Sequence, residues 1–109
     1  MIELKLKNLK EVKDSYRNEV EQICEEKSAY FHELFKNYDK DLVLEIIFNH
    51  SSSTYKVSAS INLKSKKIIV SEEGKDILTI VTKLLNEFKK TVKRRYELER
   101  KDYEYKRKR

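Results

Sequence analysis

A chain of 109 residues with 39% apolar and 40% charged side chains holds one modest core under a wet surface, which predicts a single domain over residues 1–109. No window of about 18 or more apolar residues exists, which excludes a membrane-spanning helix, and the opening MIELKLKNLK lacks the apolar centre of a secretory leader. One cysteine, Cys24, excludes an intrachain disulfide and fits a reducing, cytoplasmic setting. The net charge of +6 is uneven: residues 1–74 carry 12 basic and 13 acidic side chains, residues 75–109 carry 13 and 6. A basic segment on a near-neutral body points to a polyanionic partner, nucleic acid before an anionic membrane surface.

Ile2, Leu4 and Leu6 alternate with Glu3, Lys5 and Lys7, the period of a strand with one buried face. From about Leu9 to Tyr38 the apolar residues take helical spacing through Val12, Tyr16, Val20, Ile23, Tyr30, Phe31, Leu34 and Phe35. DLVLEIIFNH then returns to alternation, with Leu42, Leu44, Ile46 and Phe48 on one face, and HSSS turns the chain. TYKVSASIN sets Tyr55, Val57, Ala59 and Ile61 against Thr54, Lys56, Ser58, Ser60 and Asn62. LKSK turns again, and KIIVSEE supplies a last strand with Ile68 and Val70 inward. Gly74 breaks that strand at a strand-to-helix turn where a positive φ is open to it, and helix follows from Lys75.

The order is β-α-β-β-β-α, an α+β fold. The first helix is a crossover, so the first two strands are predicted parallel and the remaining pairs antiparallel, in a four-stranded mixed sheet. One sheet face is apolar and the other polar, so both helices should cover the same face. A basic helical extension is expected from about residue 96, with fraying in the closing YKRKR.

The last helix carries the functional signal. Ile77, Val81, Leu84, Leu85, Phe88 and Val92 fall on one side at about 100° per residue. Lys83, Lys90, Arg94 and Lys101 fall opposite, with Lys89, Lys93 and Arg100 along one flank and Arg95 nearer the apolar side, beyond the end of the sheet. Cations at spacings of three, four and seven residues suit the phosphates of a nucleic-acid backbone, which supply affinity and orientation.

The β-α-β-β-β-α order, the S-x-E-G-x-D opening at Ser71 to Asp76 and the pattern D-I-L-x-x-V-x-x-L-L-x-x-F-x-x-x-V-x-R resemble the short hibernation-promoting factors and ribosome-associated inhibitors of bacteria. Asp76, Val81, Leu84, Phe88, Lys90, Val92 and Arg94 sit where that family has an acid, an aliphatic, an aliphatic, an apolar residue, a base, an aliphatic and a base. AYFHELFKNYDKDLVLEI resembles the end of the family's first helix and its second strand, and Arg17 falls at a family arginine. The departures are Leu78 for a tyrosine, Thr82 for an acid or asparagine, Asn86-Glu87 for an Asp/Asn-Lys pair, Lys27 for a leucine, and Ile23 and Glu26 for nearby lysines of the first helix.

The resemblance covers residues 1 to about 95. It implies a factor that docks in the decoding region of the small ribosomal subunit, grips rRNA through both helices, occludes tRNA and mRNA and inhibits translation under stress. The RNA-binding set it implies, together with the basic ridge, is Arg17, Lys83, Lys89, Lys90, Lys93, Arg94, Arg95, Arg100 and Lys101. No cofactor, metal or small-molecule substrate is expected, and no dedicated dimerisation domain.

Two alternatives remain. A double-stranded RNA-binding module shares α-β-β-β-α, but it clusters lysines at the start of its last helix, whereas here they gather from Lys83 onward. A protein-interaction module would use RYELERKDYEYKRKR, which lacks a sustained heptad seam. A membrane-surface helix would need its apolar stripe free, and the one-faced sheet already claims that stripe. Chemistry is the least supported class. His32 and His50 have no ligand spacing around them, the pairs Glu25-Glu26 and Glu72-Glu73 come with no nucleophile, and Cys24 reads as packing. Tyr103 and Tyr105, interleaved with acids, are left outside the main site.

Overall fold

The computed structural model describes residues 2–107, with side chains described for 2–101. Four strands, β1 (Ile2–Lys7), β2 (Leu42–Ser51), β3 (Thr54–Asn62) and β4 (Lys67–Gly74), form one sheet in the order β1-β2-β3-β4. Helix α1 (Asp14–Leu34) links β1 to β2, and α2 (Ile77–Arg107) follows β4. β1 and β2 are parallel while β2–β3 and β3–β4 are antiparallel, as the crossover requires. The alternating strand residues Leu44, Ile46, Phe48, Val57, Ala59 and Ile61 are buried beneath the two helices, with Phe31 of α1 and Phe88 of α2 meeting at 5.6 Å between ring centres. The opposite sheet face is open: Ser58 and Ser71 share a hydrogen bond of 2.9 Å across β3–β4, and Ile69 is 60% exposed.

The helical run expected from Leu9 to Tyr38 is interrupted. Asn8 leaves β1 with φ 61°, a left-handed value that asparagine tolerates, and a single 3-10 turn spans Leu9–Glu11. Val12 is then extended and fully buried, and the N–H of Lys13 donates to the Tyr55 hydroxyl at 3.3 Å. The spacing of Leu9, Val12 and Tyr16 suits a 3-10 turn as well as an α-helix, which hid the break; Tyr16 is 41% exposed. At the other end α1 stops at Leu34, and Tyr38 lies in the connection to β2.

The HSSS turn is tighter than expected. Strand pairing continues to Ser51 opposite Thr54, leaving Ser52 and Ser53 as a two-residue loop in which Ser52 takes φ 56°. His50 is therefore a strand residue, stacked on Tyr55 with ring centres 4.3 Å apart.

Gly74 is also corrected. It does not break the strand but is the last residue of β4, paired with Tyr55, its φ is not positive, and the helix begins at Ile77 and not at Lys75. A Cβ there would approach Ile80 Cγ1 to 3.1 Å, so the glycine is explained by the close approach of α2 to the strand. Asp76 opens α2: its carboxylate accepts from the Leu78 N–H at 3.2 Å and the Thr79 hydroxyl at 2.8 Å. The Thr79 hydrogen bond holds the Asp76 carboxyl below its ordinary range.

Candidate nucleic-acid interface

Helix α2 has 31 residues, about 46 Å at 1.5 Å per residue, and gives the molecule its longest dimension of 55 Å. Ile77, Val81, Leu84, Leu85, Phe88 and Val92 are all at most 2% exposed, as their spacing requires. That stripe fixes the rotation of the helix. Lys83, Lys90, Arg94 and Lys101 are consequently exposed in a line on the side away from the sheet.

The ridge cations are lightly held. Lys83 lies 3.8 Å from Glu72 and Lys90 lies 3.9 Å from Glu87, both at the limit of an ion pair, with lysine side chains 66% and 70% exposed. Pairs so long and so solvated are worth little and exchange readily for a phosphate. Lys93 and Arg94 make no ion pair among the described residues. Lys89 sits over the Tyr30 ring at 4.3 Å and Arg100 over Tyr96 at 5.8 Å, so aromatic rings steer both along the α1 side.

Two expected members of the set have internal partners. Arg17 donates from Nε and Nη2 to the Val12 carbonyl at 3.1 and 2.9 Å and from Nη2 to the Lys10 carbonyl at 3.0 Å, and it pairs with Asp14 at 2.6 Å. The guanidinium thus stitches the broken start of α1, apart from the α2 ridge. Arg95 is half-buried and donates from Nε to the Ser65 hydroxyl at 3.0 Å.

No pattern in the sequence signals what anchors the outer half of α2. Tyr38 donates to Glu99 at 2.6 Å and accepts the Lys64 N–H at 2.9 Å, while Ser65 also bonds Glu99 through its hydroxyl and, at 3.3 Å, its N–H. Phe35, Tyr38 and Tyr96 pack ring against ring at 4.8 to 5.5 Å. Burial, reinforced by the hydrogen bond to Glu99, pushes the Tyr38 phenol up to about 12. The part of α2 from about residue 96, expected as a basic helical extension, is therefore tied to the body through Tyr96 and Glu99. The side chains of Tyr103 and Tyr105 lie outside those described; of the closing YKRKR, expected to fray, α2 takes in the backbone to Arg107 and the last two residues lie outside the described chain.

Among the described residues no group of three or more His, Cys, Asp or Glu could hold a metal, and no helix is long and apolar enough to cross a membrane. An open trough runs along α2 between Leu78, Thr82, Lys83, Asn86 and Lys90, and Lys27 of α1 donates to Asn86 at 3.2 Å. Cys24 is buried, and that burial, with Glu21 and Glu25 nearby, pushes its thiol up to about 12.

These features define an α+β domain with a cationic helix lying over one sheet face. Two solved structures share this architecture. The N-terminal domain of Thermus thermophilus protein Y superposes with a TM-score of 0.55 at 23% identity, over 84% of this chain and 93% of that one. A ribosomal subunit interface protein from Coxiella burnetii superposes with a TM-score of 0.54 at 16% identity, over 88% and 97%. At these identities the likeness establishes the fold, and it agrees with the resemblance carried by residues 72–95. No protein-family model matches the chain, and no curated protein matches it.

Proposed function

We propose that the chain is a cytoplasmic ribosome hibernation factor, a single ribosome-binding domain over residues 1–109. It docks in the decoding region of the small subunit, where the α2 ridge holds rRNA phosphates, occludes tRNA and mRNA and lowers translation under stress. The observation that carries this reading is the exposed line Lys83, Lys90, Arg94 and Lys101 on a helix fixed to the sheet by its apolar stripe and to the body by Glu99. Such a rail presents charge at fixed spacing, so no helix ordering is left to oppose binding, only that of the long cationic side chains. The likeness to a protein described as a ribosomal subunit interface protein favours the ribosome over RNA in general.

The test is co-sedimentation with small subunits at low and high salt, with tRNA as competitor and translation in vitro as readout. Salt-sensitive binding that tRNA displaces, with depressed translation, is the expected result. A protein that stays at the top of the gradient at every salt concentration overturns the reading. Equal affinity for any RNA duplex without tRNA competition would favour the double-stranded RNA-binding alternative instead.

A further inference from the structure

The two helices run side by side in the same direction, since Lys27 and Phe31 of α1 and Phe35 just after it meet Asn86, Phe88 and Tyr96 of α2 in ascending order. Their outer surfaces carry opposite charge. Between residues 14 and 34, α1 has six carboxylates and two cations, Arg17 and Lys27. Arg17 is held by the Val12 and Lys10 carbonyls and its charge is met by Asp14, while Lys27 donates to the neutral Asn86 and keeps its charge, which leaves α1 with four more carboxylates than cations. What α1 offers to solvent is therefore anionic, directly beside the cationic rail.

The carboxylates are not equivalent. Ile23, Lys27, Tyr30 and Leu34 form the side of α1 turned to α2, and Glu19 and Glu26 each stand one turn before a member of that stripe, Ile23 and Tyr30. Both are exposed. Glu21 and Glu25 lie on the opposite flank of α1, and Glu33 is matched by Lys36 at 2.8 Å. Packed helices have axes about 8 to 10 Å apart, close to the Debye length of about 8 Å at physiological salt, so Glu19 and Glu26 still act on a phosphate seated at α2.

We propose that Glu19 and Glu26 confine the RNA to the α2 side of the molecule: the phosphate track follows Lys83, Lys90, Arg94 and Lys101, with Lys89, Lys93 and Arg100 on its α1-facing flank, and is kept from crossing onto α1 itself. The inference rests on the RNA-binding reading above and deepens it, replacing a grip by both helices with a one-sided grip. Its consequence is orientation, because a single rail flanked by like charge on one side admits a phosphate backbone in one lateral position.

The experiment compares the double variant E19Q/E26Q with E21Q/E25Q, both at exposed sites and both removing two negative charges. Binding is measured by fluorescence anisotropy to purified small subunits and, separately, to a short RNA hairpin, with melting temperatures as a check on folding. Repulsion at about 10 Å in water is worth about twofold in affinity per carboxylate. E19Q/E26Q is therefore expected to tighten binding about two- to fourfold at low salt, with the gain vanishing at high salt, while E21Q/E25Q changes neither partner. Equal tightening by both variants would reduce the effect to net charge and overturn the proposal, as would no change. Weaker binding by E19Q/E26Q would mean that α1 contacts the partner, which also overturns it. Wild-type protein that binds the hairpin but not the subunit ends the ribosome reading while the carboxylate effect stays measurable; protein that binds neither ends both.

Discussion

Tyr38 and Glu99, 61 residues apart, are joined by a hydrogen bond of 2.6 Å that ties the connection after α1 to the outer half of α2. Ser65 and Arg95 extend the tie to the β3–β4 turn. The clasp holds the cationic rail at a fixed angle to the body past the end of the sheet, so stability and the set of the rail share one group of side chains.

Replacing Tyr38 with phenylalanine should cost about 1 kcal/mol in chemical denaturation, the usual net value of a hydrogen bond, since the ring contacts to Phe35 and Tyr96 persist. Because the phenol is raised to about 12 in the folded protein, it favours folding below the ordinary tyrosine range. That contribution is lost as pH rises from about 10 through 12, because the unfolded chain ionises first. The wild type should lose stability over that window more steeply than Y38F; parallel curves would show that the clasp does not govern alkaline stability.

The rail predicts a salt signature. With five contacts, from Lys83, Lys89, Lys90, Lys93 and Arg94, log affinity for a duplex-like RNA should fall with log salt at a slope of about −4 to −5. Changing Lys90 and Arg94 to glutamine should flatten the slope by about two units and leave the melting temperature unaltered, both side chains being exposed. Val92, between them in sequence and fully buried, should instead cost about 1 to 3 kcal/mol when cut to alanine. An unchanged slope in the glutamine pair would reduce the rail to a solvated face.

Gly74 tests the seat of α2. Alanine there brings a Cβ to 3.1 Å from Ile80 Cγ1 and 3.2 Å from Cδ1, so G74A should lower the melting temperature. Ile80→Ala removes both Cγ1 and Cδ1, and the penalty of G74A should shrink in that background. Additive effects in the double variant would place the strain elsewhere.

Cys24 should resist thiol reagents in the folded protein at neutral pH, since burial and two neighbouring carboxylates hold its thiol at about 12. Labelling should track global unfolding across a denaturant series. Rapid labelling without denaturant would show that α1 opens locally above the sheet.

Alternation by itself determined the four strands, and helical spacing determined which side of α2 faces the core, because burial of a periodic apolar set leaves one rotation for each element. The parallel pairing of β1 with β2 followed from the crossover between them. The line Lys83, Lys90, Arg94 and Lys101 was legible for the same reason: it is the complement of the buried stripe. Only the tertiary structure decided where helical spacing stops, since Val12 satisfies the period of a helix while its extended backbone turns it into the core. The same holds for Gly74, whose need is for space against Ile80 and not for a left-handed backbone. It also decided which cations remain for a partner. Arg17, Lys27 and Arg95 look as free in the sequence as Lys93 and Arg94, but nearby carbonyls, Asn86 and the Ser65 hydroxyl take them up. Charge is written in the sequence, whereas the competition for each charge is settled by contacts that folding makes, local for Arg17 and distant in the chain for Lys27 and Arg95.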